Sequence, residues 1–368
     1  MNEPILRILD ANFNRAREGL RVLEEYARFV LNDSRASGAI KRARHALSQV
    51  SEGLDRNERL ASRDTPGDVG TRITTTSETT REGAESVAQA ATARVSEALR
   101  CIEEYGKLVS SELAAQVERL RYDLYSIEQD VFVTSARRRG FSEARIHVLL
   151  TASLCRRSWR ETAEAILDAG ADVIQLREKG LSDSALLERA QALRELTRRC
   201  GAMLVINDRA DIARLADADA VHLGQEDLPV ADARRILGPT ILVGGSAHDE
   251  REIERMLDAG VDYLGVGPMF ASGTKPEVEV RGPEVLQLAR RLVSNRAVAA
   301  EGDESPPCPL VAIGGITEQN VARLFDMSGA GFAVAVCGAV IDQDDPGGAV
   351  RRLKSAIRTH VGSSGATP

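Results

Sequence analysis

From residue 146 onward the chain alternates short apolar runs with amphipathic stretches. The runs fall at 146–151, 173–176, 203–206, 220–223, 242–245, 263–266, 310–313 and 332–336. Each ends in a polar or glycine cluster, as strands do, and most are followed by apolar positions at helical spacing. Eight such strands between residues 145 and 361 predict an α/β fold, a (β/α)8 TIM barrel rather than an open doubly wound sheet. A polar, proline-containing insertion at 297–309 precedes the seventh strand, and barrel geometry assigns it to the N-terminal face.

Residues 1–130 follow a different pattern. Arg, Glu, Ala and Leu dominate at 3.6-residue spacing with scarcely any strand-like run, which predicts an all-α helical bundle ahead of the barrel. This half repeats itself: "RAREGLRVLEEYARFV" from Arg15 aligns with "RVSEALRCIEEYGKLV" from Arg94, and Arg44 and Leu47 have echoes in Arg121 and Leu124. Two helical hairpins forming a small four-helix bundle follow from that repeat. Leu20, Leu23, Ala27 and Val30 fall on one side of the first helix, with Val22, Tyr26 and Phe29 widening the expected buried arc. Glu18, Arg21 and Glu25 gather on its polar arc, and Glu97, Arg100 and Glu104 repeat them. Alone, this set reads as a solvated face laced with ion pairs. Its retention in both copies suggests a shared task at the two-fold centre. Between the hairpins, 61–82 ("ASRDTPGDVGTRITTTSETTRE") is long and Thr-rich, and loops of that length are usually functional or disordered. The Arg-rich segment 131–144 ("VFVTSARRRGFSEA") reads as a solvated linker, and 362–368 as a disordered tail.

A length of 368 residues agrees with two domains. The formal charge of −7 gives no bulk attraction for a polyanion, so no nucleic-acid partner is expected, while small anions held by local groups stay open. The five cysteines are odd in number and lack metal-ligand spacing, which points to reduced thiols in a cytoplasm. No apolar run approaches the roughly 18 residues that span a bilayer, so no membrane role is expected. A homo-oligomer is compatible with the sequence.

Barrel topology locates the candidate chemistry, because residues just past the strand ends converge on one face. There stand "QLREKG" (Gln175, Arg177, Lys179), "ND" (Asn207, Asp208), "GQED" (Gln225, Glu226, Asp227), "GGSAH" (Ser246, His248), "SGTK" (Ser272, Thr274, Lys275), "IGGI" (Gly314, Gly315) and "CGA" (Cys337, Gly338). Singly, each has a plain reading. Asp208 and Asp227 could cap the helices that follow, and His222 reads as a satisfied barrel-wall histidine. Together, two carboxylates, three cations and two Gly-rich corners are what a Mg²⁺-bound diphosphate and a second phosphate would need.

With "VIQLREKG", "VINDR", "VHLGQEDL", "GGSAH", "YLGVGP" and "LVAIGGI", residues 145–361 resemble the thiamine phosphate synthases. The resemblance implies coupling of hydroxymethylpyrimidine diphosphate to thiazole phosphate with release of pyrophosphate. It further implies that Asp208 and Asp227 hold Mg²⁺ and that Arg177, Lys179, Asn207 and Lys275 bind the diphosphate, the three cations being the catalytic groups. Gln175 and Ser246 would attend the pyrimidine, and Ser272, Thr274, Gly315 and Gly338 the thiazole phosphate. Ser272 stands where the family often has Thr, Gly338 where it often has Ser, and "LLTA" lacks the acid common after that Thr. The competing family on the same fold is the thiazole tautomerase relative, which does not need diphosphate ligands. Both acids, "QLREK" and "SGTK" argue against it.

Residues 1–130, with "ILDANFNRAREGLRVLEEYARFVLND" and "SRDTPGDVGT", resemble the helical domain assigned as a monofunctional hydroxymethylpyrimidine phosphate kinase. That resemblance implies ATP as a further substrate and makes Asn12, Arg15, Glu18, Arg21, Glu25, Asp68, Thr71, Glu97 and Arg100 candidates for its site. Ala91 stands at the repeat position of Asn12, and neither a phosphate loop nor a kinase Gly-rich loop is present. A noncatalytic module that dimerises or regulates the barrel is the alternative.

Overall fold

The computed structural model describes residues 3–31, 33–64, 81–273, 279–299 and 307–361. The chain divides into two compact units, with the boundary between Ser135 and Ala136.

In the first unit, α1 (Glu3–Glu25), α2 (Ser34–Glu52), α3 (Arg56–Ala61), α4 (Ala84–Gly106) and α5 (Ser111–Gln129) enclose Leu9, Phe13, Leu20, Leu23, Ile40, Leu47, Leu99, Ile102, Val117 and Leu124. Helix α2 starts where Asp33 accepts the Ala36 N–H at 3.0 Å, and α5 where Ser110 accepts from Glu112 and Leu113. Gly19 brings α1 against α4: a Cβ there would sit 2.5 Å from Val95 and 3.0 Å from the Ala91 carbonyl. The buried arc stops short of its expected end, because Phe29 and Val30 are exposed. Residues Tyr26–Val30 form a π-helical turn, whose wider winding rotates the last side chains off the core while Tyr26 and Ala27 stay buried.

The second unit is a closed barrel in which each strand pairs parallel with the next and β8 returns to β1. The strands are β1 (Ile146–Leu150), β2 (Val173–Leu176), β3 (Met203–Asn207), β4 (Ala220–Leu223), β5 (Leu242–Ala247), β6 (Tyr263–Val266), β7 (Leu310–Ile313) and β8 (Phe332–Val336). Alternation sets the two faces. Ile146, Val148 and Leu150 pack outward against the helices, whereas Leu149 joins Val173, Val205, Ala220, Leu242, Tyr263 and Val311 inside. Of the 297–309 insertion, residues 300–306 lie outside the described residues, as does the 362–368 tail.

At the N-terminal face an aspartate precedes each of three even strands. Asp172 accepts the Ile146 N–H, Asp219 the Leu204 N–H and Asp262 the Val243 N–H, each at 2.9 Å. These carboxylates close backbone donors that the ladder leaves open. The segment read as a solvated linker is instead helical over α6 (Ser135–Glu143) and packs on this face. Arg137 lies 3.3 Å from Asp219 and donates to the Thr240 carbonyl at 2.8 Å, while Arg138 lies 3.5 Å from Asp262. Phe141 inserts into the barrel bottom and stacks on Tyr263 with ring centroids 4.0 Å apart. The arginines are basic because they face an acidic ring, which a local reading of the segment cannot reveal.

Candidate active site

At the opposite face the polar strand ends converge. Asp208, just past β3, has φ +65°, a left-handed conformation that Asp tolerates better than most residues, and its N–H donates to the His222 carbonyl at 2.9 Å. Asp227 is fixed by the loop after β4, where its Oδ2 accepts the Gly224 N–H at 2.6 Å. The two carboxylates come within hydrogen-bonding reach of each other. Burial first, then the hydrogen bond with Asp227 and its charge, pushes the Asp208 carboxyl up to about 6, against opposing pulls from Lys179 and Arg177. Two acids, one ammonium and one guanidinium therefore share this mouth.

Gln175 is buried at the end of β2 and donates to the Asn207 side-chain oxygen at 2.7 Å, which orients both amides. The turn carrying Arg177 and Lys179 is tied down by Thr151, whose hydroxyl donates to the Arg177 carbonyl at 2.8 Å. Glu178 was not singled out from the sequence. It accepts the Ala152 N–H at 2.8 Å and the Arg189 guanidinium at 2.5 Å, and so orients this turn rather than facing a ligand. Ser246, the last residue but one of β5, has its backbone carbonyl held by the Gln225 amide, and His248 bonds the Gly267 carbonyl at 2.7 Å.

Gly314 and Gly315, at φ +104° and +63°, form the corner after β7. A Cβ on Gly315 would lie 2.3 Å from the Ala271 carbonyl, so only glycine fits there. Gly338 opens a short helix, Gly338–Ile341, after β8, and its first-turn N–H groups are of the kind that intrahelical bonds leave over. Ser272 is half-buried beyond β6, while Thr274 and Lys275 lie outside the described residues.

Inside the barrel His147 is buried and His222 is partly buried. Burial, with His222 adding, pushes His147 down to about 3, although the Gln175 amide offsets part of the shift. Neither ring nitrogen of His147 meets a partner in hydrogen-bonding geometry. Burial likewise pushes His222 to about 4, with Asp227 opposing. Both rings fold neutral, whereas the unfolded chain binds protons below about 6.5. Their contribution to stability is thus complete above about 6.5 and is lost as pH falls toward 4 and 3. At pH 5 each ring should cost about 2 kcal/mol. The check is the denaturant midpoint followed by Trp159, the chain's one tryptophan, between pH 7 and 5. His147→Leu should flatten that dependence by about half, and an unchanged slope would overturn the assignment.

In the helical unit the candidates separate into groups. Arg21 pairs with Glu25 at 3.0 Å and Arg100 with Glu104 at 2.8 Å, on exposed helix faces, and Glu18 is exposed near them. Asn12 is buried, donates to the Cys101 sulfur at 3.4 Å, and accepts from Arg15 at 3.5 Å. Cys101 in turn lines an open groove of about 630 Å³ with Ser96, Glu97, Arg100, Glu104, Tyr105, Arg121 and Tyr125. The repeat positions of Asn12 and Cys101 are the apolar Ala91 and Val22, so the pseudo-symmetric bundle is polar here in one half only. Asp68 and Thr71 lie outside the described residues. Among the buried acids that escaped the sequence reading are two at repeat-related positions. Glu24 bonds Arg44 at 3.0 Å and Glu103 bonds Arg121 at 2.8 Å, the same bridge made in each hairpin. Their signal was present as the doubled glutamate of "LEEY" and "IEEY".

A closed parallel barrel with an acidic pair, cations and glycine corners at its C-terminal mouth defines a TIM-barrel enzyme. Residues 146–340 match the family model described as thiamine monophosphate synthase, and residues 7–130 match the ThiD2 family. A thiamine-phosphate synthase from Rhodopirellula baltica is 41% identical over 344 residues, covering 92% of this chain and 89% of that protein. One from Synechocystis is 37% identical over 353 residues, 96% of each chain. Among solved structures, a thiamine phosphate pyrophosphorylase from Pyrococcus furiosus superposes with a TM-score of 0.50 at 31% identity, over 60% of this chain and 98% of that one. The chain belongs to the thiamine monophosphate synthase family, a transferase of thiamine biosynthesis with an N-terminal unit of the ThiD2 family. No helix among the described residues is long and apolar enough to cross a membrane.

Proposed function

We propose that the barrel joins hydroxymethylpyrimidine diphosphate to thiazole phosphate, and that the helical unit makes the diphosphate from hydroxymethylpyrimidine phosphate and ATP. The observation that carries the first part is the Asp208–Asp227 pair, in which burial and contact with Asp227 raise the proton affinity of Asp208 beside Lys179 and Arg177. That donor set suits Mg²⁺. Among the described residues no group of three His, Cys, Asp or Glu surrounds a common point, which leaves coordination positions to water and substrate oxygens, as this ion prefers. Bound there, Mg²⁺ would neutralise charge developing on the leaving diphosphate.

The chain's own residues supply the rest. The methylene–oxygen bond breaks with its electron pair going to pyrophosphate, and the thiazole nitrogen's lone pair forms the new carbon–nitrogen bond. Arg177, Lys179 and Lys275 stabilise the departing charge, which is the largest catalytic contribution available when no side chain attacks. Gln175 and Asn207, already bonded to each other, orient the pyrimidine end. Gly315 and the Gly338 turn offer backbone N–H groups to the thiazole phosphate, which positions the nucleophile.

For the helical unit, the ThiD2 match and the polar groove lined by Glu97, Arg100 and Cys101, with Asn12 bonded to Cys101 and Arg15 to Asn12, support a phosphotransfer site. One assay tests both parts. Whole protein receives hydroxymethylpyrimidine phosphate, ATP, Mg²⁺ and thiazole phosphate, beside a control with the pyrimidine diphosphate and no ATP. Thiamine phosphate is expected in both, and EDTA should abolish it in both. Product in the control alone would make the helical unit a noncatalytic module, and product in neither would remove the synthase reading.

A further inference from the structure

Three residues on adjacent strands form a hydrogen-bonded chain through the barrel interior toward the mouth. The Tyr263 hydroxyl lies 3.1 Å from His222 Nδ1, and His222 Nε2 lies 2.8 Å from Ser246 Oγ. Two inward glycines make room for the rings: a Cβ at Gly244 would fall 2.0 Å from the Tyr263 ring, and one at Gly265 would fall 2.9 Å from His222. Strand register sets His222 beside Gly244, Gly244 beside Tyr263, and Ser246 beside Gly265. Phe141 stacks on the other side of the Tyr263 ring, and Tyr263 is fully buried.

Hydrogen-bond accounting fixes the direction of this chain. Among the described residues the Tyr263 hydroxyl has one hydrogen-bond partner, His222 Nδ1, and Ser246 Oγ has one, His222 Nε2. If Nδ1 carried the imidazole proton, the phenolic proton would be buried without an acceptor, and a doubly protonated ring would strand it equally. The phenol therefore donates to Nδ1, and Nε2–H donates to Ser246 Oγ. The serine oxygen accepts from within the barrel, so among the described residues its own proton has no acceptor and remains for a ligand.

We propose that Tyr263 and His222 are positioning residues that convert Ser246 into an obligate hydrogen-bond donor, which selects a pyrimidine presenting an unprotonated ring nitrogen. The proposal rests on the reading of Ser246 as a pyrimidine contact. A serine hydroxyl by itself accepts or donates with equal ease and discriminates poorly. With Nε2–H on one lone pair and no acceptor among the described residues for the serine proton, a ring N–H or C–H at that point would leave that proton unpaired, so the hydroxyl favours a bare ring nitrogen.

Two experiments on the full-length protein test this. Long-range ¹⁵N–¹H spectra of the histidine rings, with His222 assigned by loss of its signals in His222→Asn, should show Nε2 protonated and Nδ1 bare. In Tyr263→Phe the His222 signals should shift to a mixture of tautomers, and KM for the pyrimidine diphosphate should rise several-fold at near-constant kcat. Ser246→Ala should lower kcat/KM about tenfold for the natural substrate. It should have no effect with whichever of two analogues lacks the ring nitrogen it serves, each having one nitrogen replaced by C–H. An Nδ1-protonated His222 in the wild type overturns the relay even if the enzyme is fully active. A tenfold loss in Ser246→Ala that persists with both analogues overturns the pyrimidine contact while leaving the tautomer result standing. Failure of coupling in the wild type, by contrast, would fall on the synthase reading alone.

Discussion

Asp227→Asn is expected to lower coupling activity on the order of a thousandfold while leaving the metal-free protein more stable than the wild type. The activity loss follows from removing one of two carboxylates assigned to Mg²⁺, since several kcal/mol of charge stabilisation on the leaving group depend on the ion. The stability gain follows from Asp208. Its carboxyl is raised from 3.8 to about 6, so the folded state holds that proton more tightly than the unfolded chain does. Stability from this group is complete below about 4 and is lost as pH rises through about 6, which leaves a cost at neutral pH. The full shift would amount to about 3 kcal/mol, but the carboxyl is partly exposed and solvent screening reduces this to about 1–2. Burial, the larger cause, survives the substitution, so removing the Asp227 charge should return about 1 kcal/mol, a rise of about 2–4 °C in Tm. Adding Mg²⁺ should then raise the wild-type Tm and not the variant's. Asp208→Asn should behave alike, and Asn is the right substitute because Ala at φ +65° would add backbone strain of its own. Full activity in both variants, or a wild-type Tm that does not rise on adding Mg²⁺, would sink the metal assignment.

The barrel strands were legible because each is a short apolar run cut off by Gly, Asn, Asp or Gln, and closure fixes which end of each run faces the site. The convergence of Gln175, Arg177, Lys179, Asn207, Asp208, Asp227 and Ser246 needed only that topology. What the sequence concealed depends on partners far away in the chain. Arg137 and Arg138 read as solvated charges because Asp219 and Asp262 lie at the starts of two later strands. Glu24 and Glu103 were not singled out because the helix carrying each says nothing of Arg44 or Arg121 on the next. Phe29 and Val30 read as core because a straight 3.6-residue helix was assumed through a segment that winds as a π-turn. His222 read as a barrel-wall residue, which describes its place, but its link from Tyr263 to Ser246 depends on two glycines on neighbouring strands.

Phe141→Ala is expected to destabilise the barrel by about 3–5 kcal/mol, a large share of the roughly 5–15 kcal/mol that holds a domain together. The ring is 3% exposed, stacks on Tyr263 and meets His147 edge-on with centroids 6.0 Å apart, so truncation leaves a cavity that rigid strands cannot fill. Trp159 sits in the barrel helix Trp159–Asp168, and its fluorescence reports unfolding of this unit without contribution from any other tryptophan. Its denaturant midpoint should fall sharply in Phe141→Ala and much less in Phe141→Leu, which retains most of the volume. Arg138→Ala should be milder still, because Asp262 keeps Arg234 at 2.9 Å and the Val243 N–H. A barrel begun at residue 145 loses the plug and both arginines together, whereas one begun at residue 135 keeps them. The first should fail to give a cooperative Trp159 transition and the second should give one. An unchanged midpoint in Phe141→Ala would return this segment to the role of a linker, because a side chain that closes the core cannot be cut back to a methyl without the core registering it.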